Sequence, residues 1–109
     1  MQDRVLSMLG LAAKAGKVAS GEFSVEKAVK SKQAYLVLVA DDASGNTKKM
    51  FTNMCAFYKV PLIIYADKEQ LGRAIGKEMR ASATVLDEGM AKAMLEKAGS
   101  HRVQTEMED

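Results

Sequence analysis

The residues best suited to bind a ligand lie together in one segment, 21–30, with the sequence GEFSVEKAVK. A glycine followed by apolar residues at helical spacing predicts a short loop that turns directly into a helix. The first turn of such a helix directs several backbone N–H groups and the positive end of the helix dipole outward, where they attract phosphate. Lys27 and Lys30 lie on this helix, and Lys17 lies a few residues before it. The segment therefore indicates an anion-binding helix start.

A second segment, LGRAIG at 71–76, carries two glycines but does not directly follow a predicted strand. It is therefore no dinucleotide-binding fingerprint. We expect Gly72 to permit close helix packing and Gly76 to end the helix. The charged loop that comes next contains Lys77, Glu78, Met79 and Arg80. A methionine in such a place is more often part of a core than a contact residue, and both roles stay open for Met79.

Patterns typical of enzymes and metal sites are sparse. The single histidine, His101, lies in the predicted C-terminal tail, which argues against a Ser/His or Cys/His catalytic pair. The single cysteine, Cys55, lies among apolar residues at helical spacing, which indicates a buried thiol and excludes an internal disulfide. Asp41 and Asp42 directly follow a predicted buried strand, where open α/β sheets bind ligands or magnesium. The alternative is that both aspartates form a turn and cap the next helix.

Composition and charge are those of an ordinary globular protein. The 109 residues are 48% apolar and 28% charged, enough for one domain and too few for two. Net charge is only +2, but residues 10–49 hold seven lysines against four acids, while residues 100–109 carry a net charge of −2. A basic front half suits a protein that meets phosphates through one face, and a solvated surface of mixed charge is the alternative. Because no apolar run approaches the length of a membrane span and no signal peptide is evident, we expect a cytoplasmic protein.

Alternating helical and extended patterns position these segments. Helical spacing predicts five helices: one over 3–15, one opening at Ser20 or Gly21, one after the polar turn 41–46, one opening at a capping box of Asp67 and Gln70, and one capped by Asp87 and stopped by Gly99. Extended segments are predicted at 17–20, 35–40, 62–65 and 83–86. The alternation implies crossover connections, so we predict a three-layer α/β/α sandwich with a small mixed, mostly parallel sheet. We expect a single domain over 1–98 and an acidic, disordered tail over 99–109.

Four short segments, taken in order and with their spacing, carry a family resemblance: 11–17, 21–30, 36–42 and 71–76. Between about residues 6 and 95 the chain resembles the ribosomal L7Ae/L30e kink-turn-binding family, in particular its short bacterial members. The resemblance implies an α/β/α sandwich of about this size that binds RNA elements with a sharp bend at an internal bulge. It implies that residues 1–98 are one RNA-binding domain.

The resemblance also assigns RNA-binding residues by position. The loop entering the second helix and the first turn of that helix contact paired guanines and nearby phosphates in this family; here they are Gly21, Glu22, Phe23, Ser24 and Lys27. The loop between the fourth helix and the next strand packs on a flipped-out nucleotide; here it is Lys77, Glu78, Met79 and Arg80. Lys17, in the first shared segment, joins this set. On this assignment Met79 covers an unstacked base while Lys77 and Arg80 supply charge.

One pair of residues departs from the family pattern. Archaeal and eukaryotic kink-turn binders carry Asn-Glu where this chain has Phe23 and Ser24. Losing such polar contacts to guanines typically removes about 1–3 kcal/mol of discrimination each, so specificity is altered or relaxed. Phe23 can instead stack on a base, or simply pack against its own helix as a staple residue. Without the family, Lys27 and Lys30 are most simply a solvated helix face.

We therefore expect a non-enzymatic RNA-binding protein of the translation apparatus that needs no cofactor. Its expected partner is structured RNA, either ribosomal RNA or another kink-turn RNA, and association with the ribosome would follow from binding ribosomal RNA. No membrane partner is expected, and the protein is expected to be a monomer. Two alternatives remain. The chain is a protein-interaction module of the same fold that has lost RNA recognition, or it is a small-molecule binder at Asp41 and Asp42.

Overall fold

The chain is described here by a computed structural model covering residues 3–99 and 102–103. Helices and strands alternate in the order α1 (Arg4–Lys14), β1 (Val18–Ser20), α2 (Glu22–Lys30), β2 (Leu36–Val39), α3 (Gly45–Tyr58), β3 (Leu62–Ile64), α4 (Lys68–Ala74), β4 (Ser82–Val85), α5 (Glu88–Ala98) and β5 (Arg102–Val103). The first nine elements match the predicted ones closely in position. The apolar spacing and capping residues of the sequence were therefore sufficient to locate them.

The predicted helix starts are formed by the side chains expected to cap them. At α4 the capping box is complete, because the Gln70 backbone N–H donates to Asp67 Oδ1 at 2.8 Å and the Asp67 N–H donates to Gln70 Oε1 at 3.1 Å. Asp87 caps α5 by accepting from the Met90 N–H at 2.9 Å. Each cap satisfies an N–H that the first helical turn leaves without a partner.

The strands form one sheet in the order β1-β4-β2-β3-β5. β2 and β3 pair in parallel, with Val37 opposite Leu62. β4 is antiparallel to both of its neighbours, β1 and β2, and β5 is antiparallel to β3. The sheet is mixed, as predicted, but it is not mostly parallel.

The connection from β3 to β4 explains this difference. α4 has seven residues, a length of about 10 Å, so it does not carry the chain far along the sheet. The loop after it returns to the start of the helix, where the Arg80 N–H donates to the Lys68 carbonyl at 3.0 Å. β4 therefore begins at the end of the sheet where β3 stopped, and it must run in the opposite direction.

Helices cover both faces of the sheet. α1 contacts α4 and α5 on one face, and α2 contacts α3 on the other, which confirms the predicted three layers. β2 is fully buried between them, as its continuous apolar sequence predicted. Phe51 and Cys55 point from α3 into the core and have no exposed surface, so the cysteine is a buried thiol as expected.

The C-terminal region differs from the sequence prediction in one place. The tail from 99 onward was expected to lack structure, whereas Arg102–Val103 form β5 along the free edge of β3, with Val103 opposite Leu62. An unpaired strand edge offers backbone N–H and C=O groups to any nearby extended segment, and two residues are too few for a periodic pattern. His101 and the acidic residues of the tail lie outside the described residues. Within the described ranges, no helix is long and apolar enough to cross a membrane.

Candidate nucleic-acid interface

One end of the sheet gathers the loops that carry most of the predicted site residues. β1, β2 and β3 all finish there and β4 begins there, as the hydrogen bond from the Gly21 N–H to the Ser82 carbonyl at 3.1 Å and the bond from the Ala40 N–H to the Ala81 carbonyl at 2.9 Å indicate. α2 and α3 start from the same end. We call this region the loop end; it comprises residues 20–24, 40–44, 65–67 and 75–81.

The start of α2 presents backbone donors without a competing side chain. Gly21 is the N-cap residue with φ 91° and ψ 153°, a left-handed backbone that favours glycine, and no side chain caps the helix. A methyl group built on Gly21 would meet nothing within 4 Å, so glycine is required here by its backbone and not by crowding. The N–H groups of this first turn are therefore directed toward open space at the loop end, in an arrangement suited to an oxyanion.

The side chains around this helix start are exposed. Phe23 is 76% exposed, so it does not pack against its own helix as a staple residue would. Glu22, Ser24 and Lys27 are exposed as well. An aromatic ring held in solvent beside the N–H groups of a helix start is able to stack on a nucleobase.

Lys27 and Lys30 differ in what surrounds them. Lys30 Nζ lies 2.8 Å from Glu26 Oε2, and this hydrogen bond raises the pKa of the lysine. Among the described residues Lys27 takes part in no ion pair, so its charge is available to a ligand. Lys27 is therefore the better phosphate ligand of the two.

The second predicted loop, residues 75–81, is held against α4 by a close approach at Gly72. A methyl group on Gly72 would lie 1.7 Å from the Glu78 carbonyl oxygen. The glycine thus permits close packing of its helix, as predicted, and the partner in this contact is the backbone of the loop. The loop turns at Gly76, whose φ is 74°.

This loop presents its apolar residue to solvent. Met79 is 58% exposed, which favours a contact role over a place in the core. It lines a shallow groove of about 350 Å³ together with Glu69, Arg73, Lys77 and Glu78. Arg73 is paired with Glu69, so among the described residues the groove offers the apolar wall of Met79 to an unstacked base and Lys77 to its phosphate.

Arg80 joins the two loops. Its Nε donates to Ser20 Oγ at 3.1 Å, and a terminal guanidinium nitrogen donates to the Met79 carbonyl at 3.0 Å. Arg80 was expected to supply charge, and these bonds add a structural role that was not predicted. The sequence predicted Ser20 only as a helix start or as part of the extended segment 17–20. Its contact with Arg80 was not predicted, because residues 60 positions apart give no local signal of contact.

Lys17 does not lie with the other predicted RNA-binding residues. It precedes β1, and its carbonyl accepts from the Leu86 N–H at 2.8 Å, beyond the last residue of β4. The three residues of β1 separate it from Gly21, so the two positions lie four residue steps apart, about 13 Å along the sheet. The remaining nine predicted residues are on α2 and the 75–81 loop.

Asp41 and Asp42 belong to the loop end as structural residues. Asp42 Oδ1 accepts from the Lys68 N–H at 2.9 Å, so it holds the start of α4. The predicted capping of α3 is done instead by Ser44, which accepts from the Thr47 N–H at 3.1 Å. Within residues 3–99 and 102–103, no group of three or more His, Cys, Asp or Glu side chains is placed to hold a metal ion.

Comparison with known proteins gives the fold and site a context. A model of the ribosomal protein L7Ae/L30e/S12e/Gadd45 family matches residues 3–95. The RNA-binding protein YlxQ of Bacillus subtilis (strain 168) is 46% identical over 88 residues, 81% of this chain and 88% of that protein. The RNA-binding protein YlxQ of Enterococcus faecium is 32% identical over 91 residues, 84% of this chain and 87% of that protein. Neither name describes an enzyme, in agreement with the predicted non-enzymatic role.

Solved structures agree with the architecture. A protein of unknown function from Bacillus halodurans C superposes with a TM-score of 0.85 at 38% identity, covering 88% of this chain and 97% of that one. The Giardia lamblia 15.5kD RNA binding protein superposes with a TM-score of 0.77 at 22% identity, covering 89% of this chain and 83% of that one. At that identity the second match concerns the fold alone. The family match over residues 3–95 confirms the family resemblance that four short segments of the sequence had indicated.

Proposed function

We propose that this chain, which belongs to the ribosomal protein L7Ae/L30e/S12e/Gadd45 family, binds folded RNA at the loop end. The proposed ligand is RNA with a sharp, kink-turn-like bend. The relatives named as RNA-binding proteins support the ligand class. The same proposal includes a non-enzymatic role in the translation apparatus. The protein acts there in the cytoplasm, as a monomer in contact with structured or ribosomal RNA.

The observation that carries the proposal is the juxtaposition of two exposed loops. The start of α2 offers uncapped N–H groups and Lys27, and the 75–81 loop offers Met79 beside a groove. The bond between Arg80 and Ser20 ties these loops to each other. A straight duplex presents phosphates on one face but no unstacked base, so only a bent RNA with an extruded nucleotide engages both loops together.

Phe23 and Ser24 determine how the proposed RNA is read at the start of α2. Ser24 offers one hydroxyl, and the exposed ring of Phe23 offers a stacking surface. We infer that recognition here depends on the bend and on stacking more than on hydrogen bonds to guanine edges. Sequence changes in the paired guanines should then cost less than straightening the RNA.

The test is a binding titration of a kink-turn RNA and a straight duplex of equal length, each at two salt concentrations. Wild type is expected to prefer the bent RNA and to bind more weakly at high salt. Lys27→Ala should lower affinity several-fold and reduce the salt slope by about 1, because one phosphate contact is lost. Lys92→Ala is the matched control, since it removes an exposed lysine from α5 on the opposite face of the sheet.

Two results would contradict the proposal. One is equal affinity of wild type for the bent and straight RNAs. The other is an identical effect of Lys27→Ala and Lys92→Ala, which would mean that the lysines act only through net charge.

A further inference from the structure

α3 lies within the longest acid-free part of the basic half of the chain. No Asp or Glu occurs in residues 43–66, which contain Lys48, Lys49 and Lys59. The lysines of this segment therefore have no acidic neighbour along the chain, in contrast to Lys30 on α2, which pairs with Glu26. A positively charged surface of this kind attracts a polyanion such as a nucleic acid.

The outer side of α3 carries an exposed row of residues with a period of four: Lys49, Asn53 and Phe57. Residues four apart lie on one helix face, so the three side chains form a continuous line. Phe57 is 77% exposed, as much as Phe23 at the loop end. Its ring and the Tyr58 ring form an edge-to-face pair with the centroids 4.9 Å apart, and most of the Phe57 side chain stays exposed to solvent.

The position of α3 makes this row continuous with the loop end. α2 and α3 follow strands that run in the same direction, and they pack side by side on one face of the sheet. Both helices thus start at the loop end and run away from it. Phe57 lies 13 residues beyond the α3 cap at Ser44, about 20 Å from the loop end along the helix.

We infer that the row Lys49, Asn53 and Phe57 is a second RNA-binding site, for a single-stranded segment of the RNA. Lys49 contacts a phosphate, Asn53 offers an amide to a base edge, and a base stacks on Phe57. The inference rests on the proposed function for one point only, that the single strand continues from RNA held at the loop end. Exposed aromatic residues also anchor protein partners, but the polar and cationic neighbours of Phe57 favour a nucleic acid.

The first experiment compares the kink-turn RNA with the same RNA carrying a single-stranded tail of about ten nucleotides, placed in turn on its 5′ and 3′ ends. Wild type should bind one tailed RNA about tenfold more tightly than the untailed RNA, because stacking adds to the contacts at the loop end. Phe57→Ala should abolish this gain and leave affinity for the untailed RNA unchanged. Phe57→Trp is the matched control, since it keeps a stacking surface and should keep the gain.

The second experiment does not require the bent RNA. The chain contains no tryptophan, so Phe57→Trp introduces a single indole at this site. Titration with oligouridylate should quench its fluorescence, and Lys49→Ala should weaken this binding and lower its salt slope by about 0.7.

The outcomes separate the two proposals. Binding of the untailed RNA without any gain from a tail, or a gain that survives Phe57→Ala, overturns the site on α3 and leaves the loop end intact. Failure to bind untailed kink-turn RNA overturns the proposed function, while quenching by oligouridylate would still support the α3 site. An unquenched indole together with capture of a protein at Phe57 would assign this face to a protein partner and overturn the inference.

Discussion

Two cationic residues of the predicted site, Lys27 and Arg80, differ in whether their side chains already have partners within the protein. Lys27 is exposed and unpaired among the described residues, as a phosphate ligand must be before RNA arrives. The Arg80 guanidinium is already engaged by Ser20 Oγ and the Met79 carbonyl. The planar, multiply donating guanidinium is suited to bridge two backbone segments in this way. We therefore interpret Arg80 as a positioning residue that sets the distance between the two loops.

Removing either partner of this bridge should reduce RNA affinity by a similar factor. Arg80→Gln and Ser20→Ala are each expected to cost about 1 kcal/mol in binding of the bent RNA, since the 75–81 loop loses its attachment to the start of α2. The double variant should cost little more than either single one, because the two changes break the same bond. Affinities of the three variants at two salt concentrations measure this.

The salt slope distinguishes positioning from direct contact. If Arg80 acts through Ser20, the slope should stay at the wild-type value in all three variants. A slope lowered by about 1 in Arg80→Gln, with Ser20→Ala unaffected, would identify Arg80 as a direct phosphate ligand and contradict the positioning role.

At the scale of elements, α4 is the part of the fold that shapes the site. It is short, and its loop doubles back over Gly72 before entering β4. α1 also packs closely against the last residue of α4, because a methyl group on Gly10 would lie 2.9 Å from the Ala74 carbonyl oxygen. The missing side chains let backbone pack on backbone at both contacts, and together with the packing of Ile75 and Ala81 against the core this gives the 75–81 loop a defined position.

Gly72→Ala should therefore be destabilising although alanine favours helices. The added methyl group meets the Glu78 carbonyl, which is backbone and must move, and we expect the free energy of unfolding to fall by about 2 kcal/mol. Chemical denaturation measures the loss.

Gly45→Ala is the matched control for this change. Gly45 also lies in a helix, but a methyl group there meets nothing within 4 Å, and its φ is not positive. A gain of about 0.5 kcal/mol is expected from reduced freedom of the unfolded chain. Equal effects of the two substitutions would show that the contact between Gly72 and Glu78 contributes nothing.

At the scale of the whole molecule, one core between the two helical layers supports the loop end. Its largest fully buried side chains come from α1, α3, α4, α5 and the central strands: Phe51, Leu9, Leu36, Leu38, Leu62, Ile63, Leu71 and Met94. Cys55 is part of this core, and burial raises the pKa of its thiol from 9.0 to about 12. The thiol is thus a reporter of global unfolding.

Stability should fall with rising pH above about 9 partly because of Cys55. The unfolded thiol ionises near pH 9, while the folded one keeps its proton until about pH 12, so the folded state binds more protons in this window. Between pH 8 and pH 10 the free energy of unfolding should fall by about 1 kcal/mol more in the wild type than in Cys55→Ala. Denaturation of both proteins at the two pH values checks this.

The comparison also cancels the contributions of Lys30 and Tyr65, whose pKa values are raised in both proteins. Burial and a hydrogen bond to Asp3 raise the pKa of Tyr65 to about 12, but Tyr65 is present in both proteins. An equal loss of unfolding free energy in wild type and variant between pH 8 and pH 10 would mean that the Cys55 thiol ionises in the folded state as it does in the unfolded state. That result would contradict its burial in the core.

The sequence by itself determined the first nine elements, the caps of α4 and α5, and the family, because these depend on neighbours along the chain. Helical spacing, the capping box at Asp67 and the continuous apolar run of β2 are local features, and each predicted its element correctly. The same holds for Gly21 at the start of α2, where the positive φ itself calls for glycine. Phe23, by contrast, was open between a staple and a contact residue, since exposure depends on what packs nearby.

Only the tertiary structure decided the strand directions, the partner of Arg80 and the place of Lys17. These depend on where a short connection returns to the sheet, and that is set by contacts between residues far apart in sequence. The bond from Arg80 to Ser20 spans 60 positions, and the antiparallel β4 follows from the loop that folds back to Lys68. Long-range contacts leave no periodic trace in the chain. They were nevertheless what brought the two separate segments of the proposed RNA-binding site to the same end of the sheet and left Lys17 at the other.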